Sequence, residues 1–371
     1  MRNQFFHLLA YTDSAGIGGA EISLGHLVRT ADPDIQITIV GVAEGVVQAI
    51  AQQRPLSQSV VLPARGSQAV LAHLRCFWRL QPDMVHLNLC TPWAGAIAQS
   101  AALSLPQARV IRVDQLPLRT TDALPLWRTR ALCLRVDAHV AVGEASARRM
   151  EDFYALGRNS VLSIPNGVPD YDSPSPDVPC SQGELVVGNI ARLNPMKAQD
   201  VLLKAIARVE GTRLVILGDG DEKAELQQLA QALSIQHRVE FRGWVDHPQT
   251  YLPEFDVVAI PSRSEGFPLS MVEAMLAARP IIASRVGSMP EAIFDGETGL
   301  LVEKNDVGGL SQALQRLRDD RTLRQRLGQQ ARKLALTHFT AKAMTQQYEQ
   351  LWEKVLDLPR RPRLGVPRPL A

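Results

Sequence analysis

Short apolar runs rich in Val, Ile and Leu alternate with longer amphipathic segments from one end of this chain to the other. That alternation constrains the fold more than any other feature. Buried strands separated by helical crossovers assemble into parallel sheets with helices on both faces, so the reading is an α/β fold. The candidate strands in the first half are Phe5 to Tyr11, Ile35 to Val42, Met84 to Leu89, Val110 to Val113, His139 to Val142 and Val161 to Ile164. In the second half they are Leu185 to Asn189, Arg213 to Leu217, Val239 to Phe241, Val257 to Ile260, Pro280 to Ser284 and Leu300 to Val302.

Between the two sets, Pro169 to Gly183 is crowded with Pro, Ser and Asp and suits neither strand nor helix. It divides the chain into a first domain over 1–168, a linker over 169–183 and a second domain over 184–340. A final helix over 341–358 has a route back to the first domain open to it. The segment 359–371, rich in Pro and Arg, reads as a disordered tail.

A chain of 371 residues with 46% hydrophobic and 21% charged residues has the make-up of a soluble globular enzyme. Its net charge of +2 gives no overall basic field, so nucleic acid is not an expected partner. Cys76, Cys90, Cys133 and Cys180 lie far apart, without the spacing of a zinc site or a redox pair, which fits a reducing, cytoplasmic compartment. The apolar Phe5 to Tyr11 runs at once into Asp13 and a glycine cluster, so it reads as a strand and not a signal peptide. No apolar run approaches the ~20 residues that span a bilayer.

The chemistry concentrates where strands give way to helices. Glu265-Gly266-Phe267-Pro268-Leu269-Ser270-Met271-Val272-Glu273 follows the run Val257 to Pro261, a strand, turn and helix start at which amide groups and the helix dipole favour an anion. Two acids beside a phosphate repel it as charges, so they read as acceptors for hydroxyls. An acidic helix cap with a solvated Glu is the alternative. Gly188 to Lys197 repeats the strand, loop and helix pattern with Arg192 and Lys197. A Lys there opposes the dipole unless an anion binds, and Arg192 suits phosphate oxygens; two solvated cations are the bland alternative. Gly16-Ile17-Gly18-Gly19-Ala20-Glu21 opens the first helix but has Glu21 where a dinucleotide fingerprint needs its third glycine. It is either a phosphate-facing turn or a packing turn. Gly218-Asp219-Gly220 reads as turn chemistry, and Trp244 either borders a nucleobase or packs at an edge.

Taken together these segments resemble glycosyltransferase family 4, retaining sugar-nucleotide transferases of the two-domain GT-B type. The resemblance rests on Gly18-Gly19, Arg192, Lys197, Gly218-Asp219-Gly220, Gly243-Trp244-Val245, Pro261-Ser262, Glu265-Gly266-Phe267-Pro268, Glu273-Ala274-Met275 and Gly296-Glu297-Thr298-Gly299-Leu300, with Ile164 to Val168 similar to the family's interdomain junction. It implies two Rossmann-like domains facing each other across a cleft. It also implies a nucleotide-sugar donor, as substrate and not cofactor, and no metal. In that reading Arg192 and Lys197 hold the diphosphate and Glu273 the ribose hydroxyls. Glu265 with the amides of Phe267 and Leu269 holds the sugar, Pro268 having no N–H to give. Gly18 and Gly19 close on the phosphates.

Many family members carry a histidine where this chain has Asp114. Asp114 either contacts a sugar or acceptor hydroxyl or caps a loop. His86 either faces the acceptor or is buried. The implied reaction passes through an oxocarbenium-like transition state, with fixed cations stabilising the leaving diphosphate. The implied acceptor is a glycan or lipid-linked glycan of bacterial cell-surface synthesis. Trp78 with Arg75 and Arg79, and Trp127 with Arg128, Arg130 and Arg135, are candidates for peripheral contact with the inner membrane. A sugar-nucleotide epimerase and a non-catalytic nucleotide-sugar-binding subunit are the rival readings.

Overall fold

The computed structural model describes residues 6–170 and 183–359. The chain divides into two units, Val168–Thr340 and the remainder, in which Met1–Gly167 is joined by the segment from Ala341. The first unit is built on seven parallel strands: β1 (His7–Thr12), β2 (Gln36–Gly41), β3 (Gln58–Val61), β4 (Met84–Leu89), β5 (Arg109–Asp114), β6 (Ala138–Ala141) and β7 (Leu162–Ser163). They run in the order β3-β2-β1-β4-β5-β6-β7. The connecting helices are α1 (Gly19–Thr30), α2 (Glu44–Ala51), α3 (Ser67–Leu80), α4 (Ala96–Leu103), α5 (Ala123–Cys133) and α6 (Glu144–Tyr154).

The second unit carries β8 (Leu185–Ile190), β9 (Thr212–Leu217), β10 (Val239–Gly243), β11 (Val257–Ile260), β12 (Ile281–Ser284) and β13 (Leu300–Val302), in the order β10-β9-β8-β11-β12-β13. Its helices are α7 (Gln199–Arg208), α8 (Lys223–Ala232), α9 (Leu269–Leu276), α10 (Val307–Asp319) and α11 (Arg321–His338). Both sheets are parallel, and in each the strand order reverses once, between β1 and β4 and between β8 and β11. These are doubly wound α/β sheets, as the alternation of the sequence predicts.

The expected strands all form, with ends shifted by a residue or two. The sequence reading omits β3, an edge strand paired only with β2 and largely exposed. Such a strand needs no apolar pattern, because it has little to bury. The last helix, α12 (Ala341–Asp357), packs in the first unit's core, where Trp352, Tyr348 and Val355 join Leu8, Leu24 and Met84. Most of the expected linker, and all but the first residue of the expected tail, lie outside the described residues. Among the described residues no helix is long and apolar enough to cross a membrane.

Candidate active site

In the second unit β8 and β11 are neighbours, with Val187 opposite Val257 and Gly188 opposite Val258. From this pair the sheet grows in both directions, so the loops leaving the carboxyl ends of β8 and β11 diverge and leave a crevice, the usual ligand position in an open α/β sheet. The β8 loop carries Arg192 and Lys197; the β11 loop carries Ser262, Glu265 and Phe267 and runs into α9 with Leu269 and Glu273. The sequence-predicted donor residues of this unit, Trp244 excepted, thus come from two neighbouring strand ends.

The β8 loop is held from below. Buried Gln199 donates through Nε2 to the Arg192 carbonyl (3.2 Å) and to Asn189 Oδ1 (3.3 Å), and Asn189 donates in turn to the Ala259 carbonyl of β11. Gly218 is more than turn chemistry: a Cβ there, at φ +138°, would collide with the Ala191 carbonyl, so only glycine lets the two loops approach. A short 3-10 turn, Pro195–Lys197, follows, with the Asn194 side chain accepting from the Met196 amide at 3.1 Å. Ala198 then adopts a left-handed conformation (φ +55°), at a cost of about 1 kcal/mol for a residue with a Cβ. Arg192 is exposed and its guanidinium has no partner among the described residues.

Lys197 Nζ donates to Glu265 Oε1 at 2.6 Å, and Ser262 Oγ donates to the same oxygen at 2.7 Å. Glu265 is buried and Lys197 about one-quarter exposed. The sequence reading takes Glu265 as a hydroxyl acceptor, with an acidic helix cap as the alternative; the structure makes it a charge partner of Lys197. Both donors use Oε1, so Oε2 keeps its acceptor capacity among the described residues. The Glu265 loop is fixed from behind by Gly287 (φ +58°), where a Cβ would collide with the Glu265 carbonyl, and by the Ser288 amide, which donates to the Gly266 carbonyl at 3.0 Å. Sequence reasoning missed Gly287, Ser288 and Arg263. The glycine was the available signal.

Pro268 caps α9 with φ −70° and no N–H to orphan. Phe267 is buried with its ring 5.0 Å from that of Phe339, and Leu269 is the first residue of the helix. Glu273, one turn on, is almost fully buried and its carboxyl has no hydrogen-bond partner among the described residues; burial pushes its pKa up to about 7. A buried carboxyl without a donor is unfavourable alone and becomes favourable when hydroxyls meet it. Trp244 follows β10, at the sheet edge two strands from β8; it is exposed and donates from Nε1 to Asp246 at 3.1 Å.

In the first unit, Gly18 caps α1 and its amide donates to Glu21 Oε2 at 3.0 Å, while a Cβ on Gly19 would meet nothing within 4 Å. Asp114 is not available to a substrate. It is completely buried, with Oδ2 and Oδ1 each accepting from Arg112 at 2.8 Å and Oδ2 also meeting His139 Nε2 at 2.6 Å. Burial alone would raise its pKa, but the Arg112 guanidinium and His139 outweigh it and hold the carboxyl at about 2. Ligand atoms of Asp114, Cys133 and His139 lie within 4.8 Å of one another, yet Arg112 already supplies the cation there, and a metal ion would be repelled by it. His86 is likewise a core residue. Its ring packs edge-on against Tyr348 and Trp352 of α12, and burial pushes its pKa down to about 3.

Two doubly wound units of this kind make up the GT-B architecture. Residues 175–334 match the model of the family Glycosyl transferases group 1, which makes that part of the chain similar to this family. The chain is 32% identical over 166 residues to the lipopolysaccharide core biosynthesis glycosyltransferase LpsE of Rhizobium meliloti, covering 45% of this chain and 49% of that protein. It is 33% identical over 180 residues to N-acetyl-alpha-D-glucosaminyl L-malate synthase of Bacillus anthracis, covering 47% of each. The chain spans about half the length of these curated relatives. Among solved structures, HepE of Anabaena in complex with UDP superimposes with a TM-score of 0.82 at 21% identity, covering 94% of this chain and all of that one. The sucrose-phosphate synthase of Thermosynechococcus elongatus does so with a TM-score of 0.79 at 20% identity, covering 94% and 99%.

Proposed function

We propose that the protein is a retaining glycosyltransferase that takes a nucleotide-sugar donor on its second unit and passes the sugar to a glycan or lipid-linked glycan of bacterial cell-surface synthesis. The observation that carries this reading is the Lys197–Glu265 pair at the β8–β11 crevice, which places a cation for phosphate beside a carboxylate with a spare oxygen for sugar hydroxyls. Arg192, without a partner among the described residues, and Lys197 take the diphosphate; no metal is needed to neutralise it. Glu273 takes the ribose hydroxyls, and Glu265 Oε2 with the Leu269 amide takes the sugar. Charge that develops on the leaving diphosphate then meets cations and a helix N-terminus already in place. The solved HepE structures with UDP and with UDP-glucose support a UDP-sugar as the first donor to test.

The test is thermal unfolding with UDP, GDP and ADP, for the wild type and for Lys197→Ala. A ligand at about 100 times its dissociation constant adds ~2.7 kcal/mol of stability. Stabilisation by one nucleotide, absent in the variant, supports the donor site; no stabilisation by any of the three counts against it.

The proposed site of action is the cytoplasmic membrane face. Arg65, Arg75, Arg79, Arg119, Arg128, Arg130 and Arg135 form no ion pair among the described residues, and exposed Trp78, Leu124 and Trp127 lie among them in sequence. Arg130 stacks over Trp127 at 5.2 Å. Such a mixture suits an anionic lipid interface. Co-sedimentation with phosphatidylglycerol vesicles, but not with phosphatidylcholine vesicles, is the expected result.

A further inference from the structure

Arg263 lies between Ser262 and Glu265, the two residues of its loop joined by the hydrogen bond at the Lys197 partner oxygen, yet all of its polar reach goes elsewhere. Its amide donates to the Met196 carbonyl at 2.7 Å. Its Nη1 donates to the Pro195 carbonyl at 2.6 Å, its Nη2 to Asp200 Oδ2 at 2.8 Å and its Nε to Asn305 Oδ1 at 2.7 Å. One residue of the β11 loop therefore grips the turn that carries Lys197, the first turn of α7, and the loop beyond β13.

That turn has little to hold it from within. The Met196 amide rests on the Asn194 side chain and the Lys197 amide on the Asn194 carbonyl at 3.0 Å, and the next residue, Ala198, is in a left-handed conformation that a Cβ disfavours. Arg263 does not itself serve as a phosphate ligand, because its charge is met by Asp200. The planar fork of a guanidinium reaches several acceptors in fixed directions, which a lysine cannot do.

We propose that Arg263 is a positioning residue that locks the Lys197 turn to the Glu265 loop and so sets the geometry in which Lys197 meets a donor diphosphate. The inference rests on the donor-site reading above. It is tested in the full chain with Arg263→Ala, Arg263→Lys, Lys197→Ala and the double variant Lys197→Ala/Arg263→Ala. The readouts are hydrogen exchange at the Met196 and Lys197 amides and calorimetric binding of UDP, GDP, ADP and inorganic pyrophosphate.

In Arg263→Ala, exchange at the two amides is expected to rise by about tenfold, and binding of the diphosphate that the wild type takes to weaken by about tenfold to a hundredfold, the scale of a misplaced binding group. In the Lys197→Ala background the same change adds nothing, since residues acting as one unit are not additive. Arg263→Lys recovers only part of the loss. Unchanged exchange, or equal weakening in both backgrounds, overturns the proposal. If the wild type binds none of the four probes, or Lys197→Ala binds as well as the wild type, the donor-site reading fails, and hydrogen exchange alone decides whether Arg263 holds the turn.

Discussion

Lys197 and Glu265, 68 residues apart in sequence, share a 2.6 Å ion pair that also receives the hydroxyl of Ser262. The pair keeps the cation in place before any ligand arrives. An anion that binds there meets a charge already oriented, and little reorganisation is needed.

Lys197→Ala is therefore expected to lower turnover by about 10² to 10³, the effect of losing one preorganised electrostatic group. Steady-state kinetics with the donor identified by thermal shift provide the check. A variant that keeps more than half of normal turnover removes Lys197 from the site.

Glu273 makes stability depend on pH in a defined direction. Its carboxyl titrates at about 7 in the folded chain against 4.5 for the ordinary group, so the folded state binds more protons between those values. The contribution of Glu273 is thus fully present below about pH 4.5 and is lost as pH rises through 7, by about 3 kcal/mol in all. Glu273→Gln is expected to remove that slope, so that the variant gains on the wild type from pH 5 to pH 8 in urea titrations. It is also expected to weaken nucleotide binding; unchanged affinity contradicts the ribose role.

Asp114→Asn leaves the Arg112 guanidinium buried without its full counter-charge, a change that costs about 3 to 5 kcal/mol. The depressed pKa has the opposite sign to that of Glu273: its stabilisation is present above about pH 4 and is lost as pH falls through 2. Chemical denaturation at pH 7 and pH 3 reads both effects. If Asp114 instead served substrate binding, the variant would lose activity without losing stability.

Gly287→Ala places a methyl against the Glu265 carbonyl at a positive φ. The loop must move, at an expected cost of roughly 1 to 3 kcal/mol. Nucleotide affinity should fall with it, because the loop carries the partner of Lys197. Gly19→Ala, with open space at its Cβ, is the control for stability and is expected to cost little.

The strands other than β3, and the parallel doubly wound sheets they form, were legible in the amino-acid order alone. They follow from apolar runs and from strand, glycine turn and helix sequences, which are local patterns. The same patterns placed Arg192, Lys197, Glu265 and Glu273 beyond strand ends, because β8 and β11 each finish before them. Which strand ends become neighbours is a property of the folded chain. The order β9-β8-β11-β12 is set by packing between segments far apart in the chain, and it turns two independent loops into one crevice. That long-range packing also removed Asp114 and His86 from the candidate site, since burial beside Arg112 and His139, or beside Tyr348 and Trp352, depends on partners that no local pattern names.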